Sequence, residues 1–111
     1  MDLKGVLGGL LFATVVGISA QASADEYEEG RELYRFYCSH CHNPGEGHPG
    51  TQMLASKKGV EQSVIREQQL PAEYIRTVVR RGLLEMAPFR PTEFDDTQLG
   101  ELIKYLRADK P

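Results

Sequence analysis

The chain has 111 residues, 26% of them charged, and a formal net charge of -3. That length holds one domain at most, and the slightly acidic balance excludes the strongly basic surface of a nucleic-acid-binding protein. Its 2 cysteines, Cys38 and Cys41, lie in one short stretch, so no disulfide can tie distant parts together.

The first 24 residues read as a segment apart. One cation, Lys4, precedes an apolar run through Leu7, Leu10-Leu11-Phe12, Val15-Val16 and Ile18, and the small residues Ala22-Ser23-Ala24 follow. This is the layout of a secretory signal peptide cleaved before Asp25. The run is shorter than the ~20 residues of a spanning helix. Residues 1–24 are therefore expected to be a leader, residues 25–111 the domain, and the exported protein to be periplasmic with no membrane anchor.

From Glu26 to Tyr37 the chain suits an amphipathic helix. Acidic residues crowd its start, where they favour the positive end of the helix dipole. Tyr27, Gly30, Leu33-Tyr34 and Tyr37 share a face at spacings of three and four. Gly30 is costly there, by ~1 kcal/mol relative to alanine, unless another helix crosses closely at that point.

That helix leads into Cys38-Ser39-His40-Cys41-His42, which reads C-x-x-C-H. The spacing is the one by which c-type haem is attached: two thiols a helical turn apart reach the vinyl groups on one porphyrin edge, and the next imidazole lies beneath the iron. In an oxidising compartment a bare C-x-x-C tends to close on itself, and thioether bonds to haem prevent this. Two other readings compete. A thiol–disulfide centre places C-x-x-C after a strand, whereas a helix precedes it here. A structural zinc would use Cys38, Cys41 and two of His40, His42 and His48, although zinc ligand pairs are usually well separated.

Asn43 to Gly50 is dense in turn formers and is expected to be irregular, wrapping the proximal side of the ring. Between Thr51 and Gln69 the pattern is weak, with a short helix expected around Glu61–Gln68. Leu70-Pro71-Ala72-Glu73 opens a clearer helix with Pro71 at its first position; Tyr74-Ile75 and Val78-Val79 mark its buried face, and Gly82 ends it. After an irregular stretch through Met86, a last helix begins near Asp95 or Asp96, where Asp95 and Gln98 have the spacing of a capping box. Leu99, Leu102-Ile103 and Leu106 form its core stripe, with Tyr105 beside it.

With His42 as proximal iron ligand, Met86 is the expected distal one, because it sits in a Pro-flanked loop that can aim a single side chain. His40, His48 and Met53 are the alternatives. A thioether opposite an imidazole raises the potential and fills the site, which favours electron transfer over chemistry on a bound substrate. A metal-bound histidine usually donates its other N–H to an acceptor, and the Pro49 carbonyl is the expected one. A haem in a chain this small would also supply much of the core.

Gly30, Tyr34, Cys38, Cys41, His42, Pro49, Met86, Leu102, Tyr105 and Leu106 together resemble the class I cytochromes c. The resemblance implies an all-α fold, about three main helices plus short segments around one covalent haem c. It also implies that the terminal helices cross with Gly30 against Tyr105, and that Tyr34 and Tyr105 pack near the haem. The second half, from Leu70-Pro71-Ala72-Glu73-Tyr74-Ile75 through Val79-Arg80-Arg81-Gly82 and Met86 to Phe94-Asp95-Asp96, is similar to the cytochrome subunits of p-cresol methylhydroxylase and related 4-alkylphenol (eugenol) hydroxylases. Two features depart from that pattern: the order Met86-Ala87-Pro88-Phe89, and an insertion over about Gln52–Gln69. The resemblance implies an electron-transfer protein, not an enzyme by itself, that accepts single electrons from an FAD subunit and passes them to a soluble acceptor such as a copper protein or another cytochrome. A free carrier cytochrome and a haem enzyme or sensor with an open sixth site are the other readings. Arg80, Arg81 and Arg90 bracket the Met86 loop; such a cluster is usually a solvated face, and the functional alternative is that it steers an acidic partner or pairs with haem propionates.

Overall fold

The computed structural model describes residues 25–108. The expected leader, residues 1–24, lies outside them. The described chain is helical: α1 (Glu28–Leu33), a π-helical turn (Tyr34–Cys38), α2 (Ser39–His42), α3 (Pro49–Lys58), two 3-10 turns (Val60–Gln62 and Ile65–Glu67), α4 (Ala72–Arg81) and α5 (Asp96–Arg107). Among the described residues the sole extended pairing is an isolated bridge between Leu83 and Met86, and no helix is long and apolar enough to cross a membrane.

The first helix runs on through the π turn into α2. In that turn the Ser39 N–H reaches back five residues to the Tyr34 carbonyl. The Arg35 carbonyl, which a regular α-helix would pair with that N–H, instead accepts from the Ser39 hydroxyl at 2.6 Å. One residue more than an α-turn holds is thereby accommodated with the Tyr34 and Arg35 carbonyls both paired. The side chains re-phase accordingly: Tyr34 is buried at 7% exposure while Phe36 stands out at 66%.

Between α2 and α4 the outcome departs from expectation. Asn43–His48 is irregular, but Pro49 and Gly50 begin α3, with Pro49 in the first turn where its missing N–H does no harm. The helix expected around Glu61–Gln68 is replaced by the two short 3-10 turns. Pro71 is the residue before α4, one position earlier than expected, and Gly82 ends that helix at φ 75°. The capping box is formed as its spacing predicts, Asp95 Oδ1 accepting from Gln98 N–H and Gln98 Oε1 accepting from Asp95 N–H, both at 2.9 Å.

The core lies where α1 and the π turn cross α5. Leu33, Tyr34, Ile75, Val79, Phe94, Leu99, Leu102, Ile103 and Leu106 form one buried cluster, and Tyr37, Cys38, Ile65, Leu70, Met86, Phe89 and Tyr105 pack against it. Gly30 sits at the crossing. A Cβ there would strike the Glu101 carbonyl and lie 2.6 Å from Tyr105 Cβ, so the absence of a side chain is what lets the helices approach. This is the crossing that the family resemblance implies.

Candidate haem site

The site begins with α2, a single turn that carries Ser39, His40, Cys41 and His42 with Cys38 at its start. Both cysteines are free thiols, Cys38 half-buried and Cys41 exposed; they stand for the sulfurs a covalent haem would engage. Burial pushes the Cys38 thiol up to about 12, with Cys41 adding to the effect. A thiol held protonated in this way lacks the reactive thiolate of a disulfide oxidoreductase. Nor do three or more His, Cys, Asp or Glu side chains among the described residues converge as a metal site, so the four-ligand grouping of a structural zinc is not assembled.

Burial also holds His42 below the usual histidine range. The ring is thus kept neutral, the state in which a nitrogen lone pair can bind iron. Its position is set by three contacts. Gly50, in the first turn of α3, packs so closely that a Cβ would lie 2.7 Å from the Cys41 carbonyl oxygen, 2.8 Å from His42 Cε1 and 3.0 Å from Nδ1. The Tyr34 hydroxyl donates to the His42 carbonyl at 2.9 Å, and burial pushes that phenol up to about 12, keeping it a donor. The Thr51 hydroxyl donates to the Asn43 carbonyl at 2.8 Å, tying α3 to the residue after His42.

The hydrogen bond expected from His42 to the Pro49 carbonyl is not formed: His42 Nδ1 is buried without a hydrogen-bond partner. The reason is the unforeseen helix. At the start of α3 the Pro49 carbonyl points along the helix axis into the helical ladder, and it is Gly50 that meets the imidazole. Of the alternative ligands, a His48 ring nitrogen lies 3.0 Å from the His40 carbonyl oxygen, within the turn that carries His42. Met53 lies on α3 with 38% exposure.

Met86 is placed by a tight turn. Its N–H donates to the Leu83 carbonyl at 2.9 Å and its carbonyl accepts from the Leu83 N–H at 3.0 Å. Leu84, inside the turn, takes φ 52°, a region that favours glycine, and Leu83 and Leu84 are 48% and 73% exposed. Met86 itself packs against the core cluster. The residues beyond it are anchored at several points: Phe89 N–H to the Val79 carbonyl at 2.8 Å, Tyr37 hydroxyl to the Glu93 carbonyl at 2.9 Å, and Tyr37, Phe89 and Phe94 in mutual ring contact.

Arg80 belongs to this anchoring. Its guanidinium donates to the Phe89 carbonyl at 3.2 Å and the Phe94 carbonyl at 3.0 Å, pairs with Asp96 at 2.8 Å, and lies 5.2 Å over the Phe94 ring. It is therefore a brace between α4, the Met86 segment and α5, neither part of a solvated face nor a cation free to steer a partner. Arg81 and Arg90 are exposed.

The donor set and its surroundings fit a covalent haem: two thiols on one helical turn, a neutral imidazole held from one side by backbone, and a braced loop bearing a thioether. Tyr34 and Tyr105, 5.5 Å apart between ring centres, meet where α1 crosses α5. The contacts that sequence reasoning missed are those of Gly50, Thr51 and the Tyr34 hydroxyl with the proximal turn.

An all-α chain bearing a C-x-x-C-H turn is the architecture of a c-type cytochrome, and this chain belongs to that family: residues 25–106 match the family described as cytochrome C oxidase, cbb3-type, subunit III. It is similar to the cytochrome c subunit of 4-cresol dehydrogenase (hydroxylating) from Pseudomonas putida, 32% identical over 101 residues that cover 90% of this chain and 74% of the relative. Among solved structures it is similar to a chain of p-cresol methylhydroxylase with substrate bound, with TM-score 0.55, 27% identity, and coverage of 78% of this chain and 99% of that one.

Proposed function

We propose that this chain is the electron-transfer cytochrome of a periplasmic flavocytochrome. In this reading Cys38 and Cys41 anchor one haem c through thioethers, and His42 and Met86 are its axial ligands. The partner is an FAD subunit that oxidises a 4-alkylphenol, and the onward acceptor is a soluble copper protein or another cytochrome. When bound, the haem supplies a one-electron couple that lets a two-electron flavin be reoxidised in single steps. The protein's part is to hold the imidazole neutral and oriented, to aim the thioether from the braced loop, and to present a surface to the donor.

The observation that carries the reading is the likeness, along 90% of this chain, to the cytochrome c subunit of a hydroxylating 4-cresol dehydrogenase. The free thiols at one helical turn and the apolar tip Leu83-Leu84 beside Met86 support it. Such a tip, with Arg81 and Arg90 nearby in sequence, suits an apolar contact ringed by acidic groups on the donor.

The test is to produce the full chain in a host that matures c-type cytochromes, together with the flavoprotein of its source. A pyridine haemochrome spectrum of a thioether-bound haem, a weak near-infrared sulfur-to-iron band, and co-purification with the flavoprotein are the expected results. Ready carbon monoxide binding by the reduced protein at neutral pH would overturn closure by Met86 in favour of an open sixth site. A cytochrome that is reduced normally but binds no flavoprotein would favour a diffusible carrier.

A further inference from the structure

The segment between α3 and α4 sends one arginine back onto the helix crossing. Arg66 lies in the 3-10 turn Ile65–Glu67. Its guanidinium carbon stands 4.1 Å from the centre of the Tyr105 ring, and its Nη1 donates to the Tyr105 hydroxyl at 3.2 Å. The Tyr105 ring leans on that of Tyr34 with centres 5.5 Å apart. The Tyr34 hydroxyl donates to the carbonyl of His42 at 2.9 Å. These contacts form a continuous chain from the Arg66 guanidinium to the peptide that bears the proposed proximal imidazole.

Two further observations show that the arginine is a constraint on this corner and not a bystander. Arg66 Nε is buried with no hydrogen-bond partner, so the side chain has given up hydration there, and the Tyr105 ring and hydroxyl supply the compensating contacts. A cavity of about 240 Å³, lined in part by Tyr34, Asn43, Arg66 and Tyr105, adjoins the ring pair. Close packing therefore does not confine the two rings on that side. The guanidinium does.

We propose that Arg66 is a positioning residue for the haem iron: by holding Tyr105 against Tyr34 it fixes the Tyr34 hydroxyl on the His42 carbonyl, and so sets the orientation of the proximal imidazole. The proposal rests on the reading that His42 carries a haem. Rotation of an axial imidazole changes its overlap with the iron orbitals and the spread of unpaired spin over the porphyrin. The hyperfine-shifted haem methyl resonances of the oxidised protein report that rotation directly, whereas a residue that merely stabilises the fold would leave them in place.

The experiment compares holocytochromes carrying Arg66→Ala, Arg66→Lys, Tyr34→Phe and Arg66→Ala with Tyr34→Phe, by proton NMR of the ferric state and by redox titration. Arg66→Ala and Tyr34→Phe are each expected to displace the methyl pattern and shift the midpoint potential. The double variant should go no further than Tyr34→Phe alone, because Arg66 acts through that hydroxyl. Arg66→Lys, which keeps a cation over the Tyr105 ring, should displace the pattern less than Arg66→Ala. An unchanged methyl pattern in Arg66→Ala, with a lowered melting temperature as the sole effect, would overturn the proposal, as would additive displacements in the double variant. Should Arg66→Ala yield no folded holoprotein, Tyr105→Phe, which keeps the ring and removes the acceptor hydroxyl, decides in its place: a displaced pattern supports the proposal and an unchanged one overturns it. A wild-type chain that takes up no haem overturns the carrier reading and this proposal together, whereas an unmoved pattern with haem in place overturns this proposal alone.

Discussion

At His42 the imidazole is confined from one side by backbone rather than by side chains. A methyl group on Gly50 would sit 2.8 Å from His42 Cε1, and neither the helix start nor the ring can retreat without disturbing the Cys41 carbonyl. Gly50→Ala is therefore expected to destabilise the holoprotein by about 1–3 kcal/mol, the usual cost of adding a methylene where packing is tight. It should also lower the fraction of chain that acquires haem; a melting curve and a haemochrome assay read the two effects. The proposed haem-bonding residues were singled out from the sequence because thioether and iron ligation demand those residue types at that spacing. Gly50 and the Tyr34 hydroxyl were not, because each acts through proximity in space between residues eight apart in sequence. The Pro49 carbonyl was assigned from a loop reading of that stretch. Once Pro49 starts a helix, its carbonyl points elsewhere.

At the scale of elements, the Met86 loop is rigid because the helices on both sides hold it. Arg80 does most of this from α4, with its side chain only 16% exposed. Arg80→Ala removes two hydrogen bonds to loop carbonyls and an ion pair whose partner is largely solvated. The expected loss is about 2 kcal/mol, and on the proposed ligation by Met86 the near-infrared band should weaken as well. A melting temperature that falls while the band stays intact would limit Arg80 to a stabilising role. Helices α4 and α5 were readable from their apolar stripes and, for α5, from the capping box. Helix α3 was not, since Thr51 is its one buried residue and it carries no stripe to read. Its signals were Pro49 at the start and Lys57-Lys58 at the end, where cations suit the helix dipole.

On the scale of the whole molecule, the described core is built largely around one helix crossing, and several apolar side chains remain outside it, Phe36, Val60 and Leu84 among them. A domain of this size has little margin, so replacing both Cys38 and Cys41 by serine is expected to leave a chain with helical signal but no sharp cooperative melting transition; circular dichroism against temperature checks this. Charge acts over the same range. With a net charge of -3, the molecule as a whole gives an acidic partner no attraction, and any steering must come from local cations such as Arg81 and Arg90. Reversing both to glutamate should slow reduction by an acidic donor and invert its dependence on ionic strength, so that salt now speeds the reaction by screening repulsion, as stopped-flow traces at two salt concentrations would show.

The π turn at Tyr34–Cys38 has a consequence for how such a chain can change over time. Because the Ser39 hydroxyl satisfies the Arg35 carbonyl that the extra residue displaces, the helix tolerates a residue that a uniform α-helix has no room for. Loss of Phe36 alone would let the ladder close into a regular helix, with good hydrogen bonds throughout. Because the turn already absorbs the extra residue, the helix beyond it, with both cysteines and His42, would keep its face toward the crossing. A single residue can therefore be gained or lost within this turn without re-aiming the cofactor turn, whereas the same change in the regular part of α1 would rotate everything beyond it by about 100°.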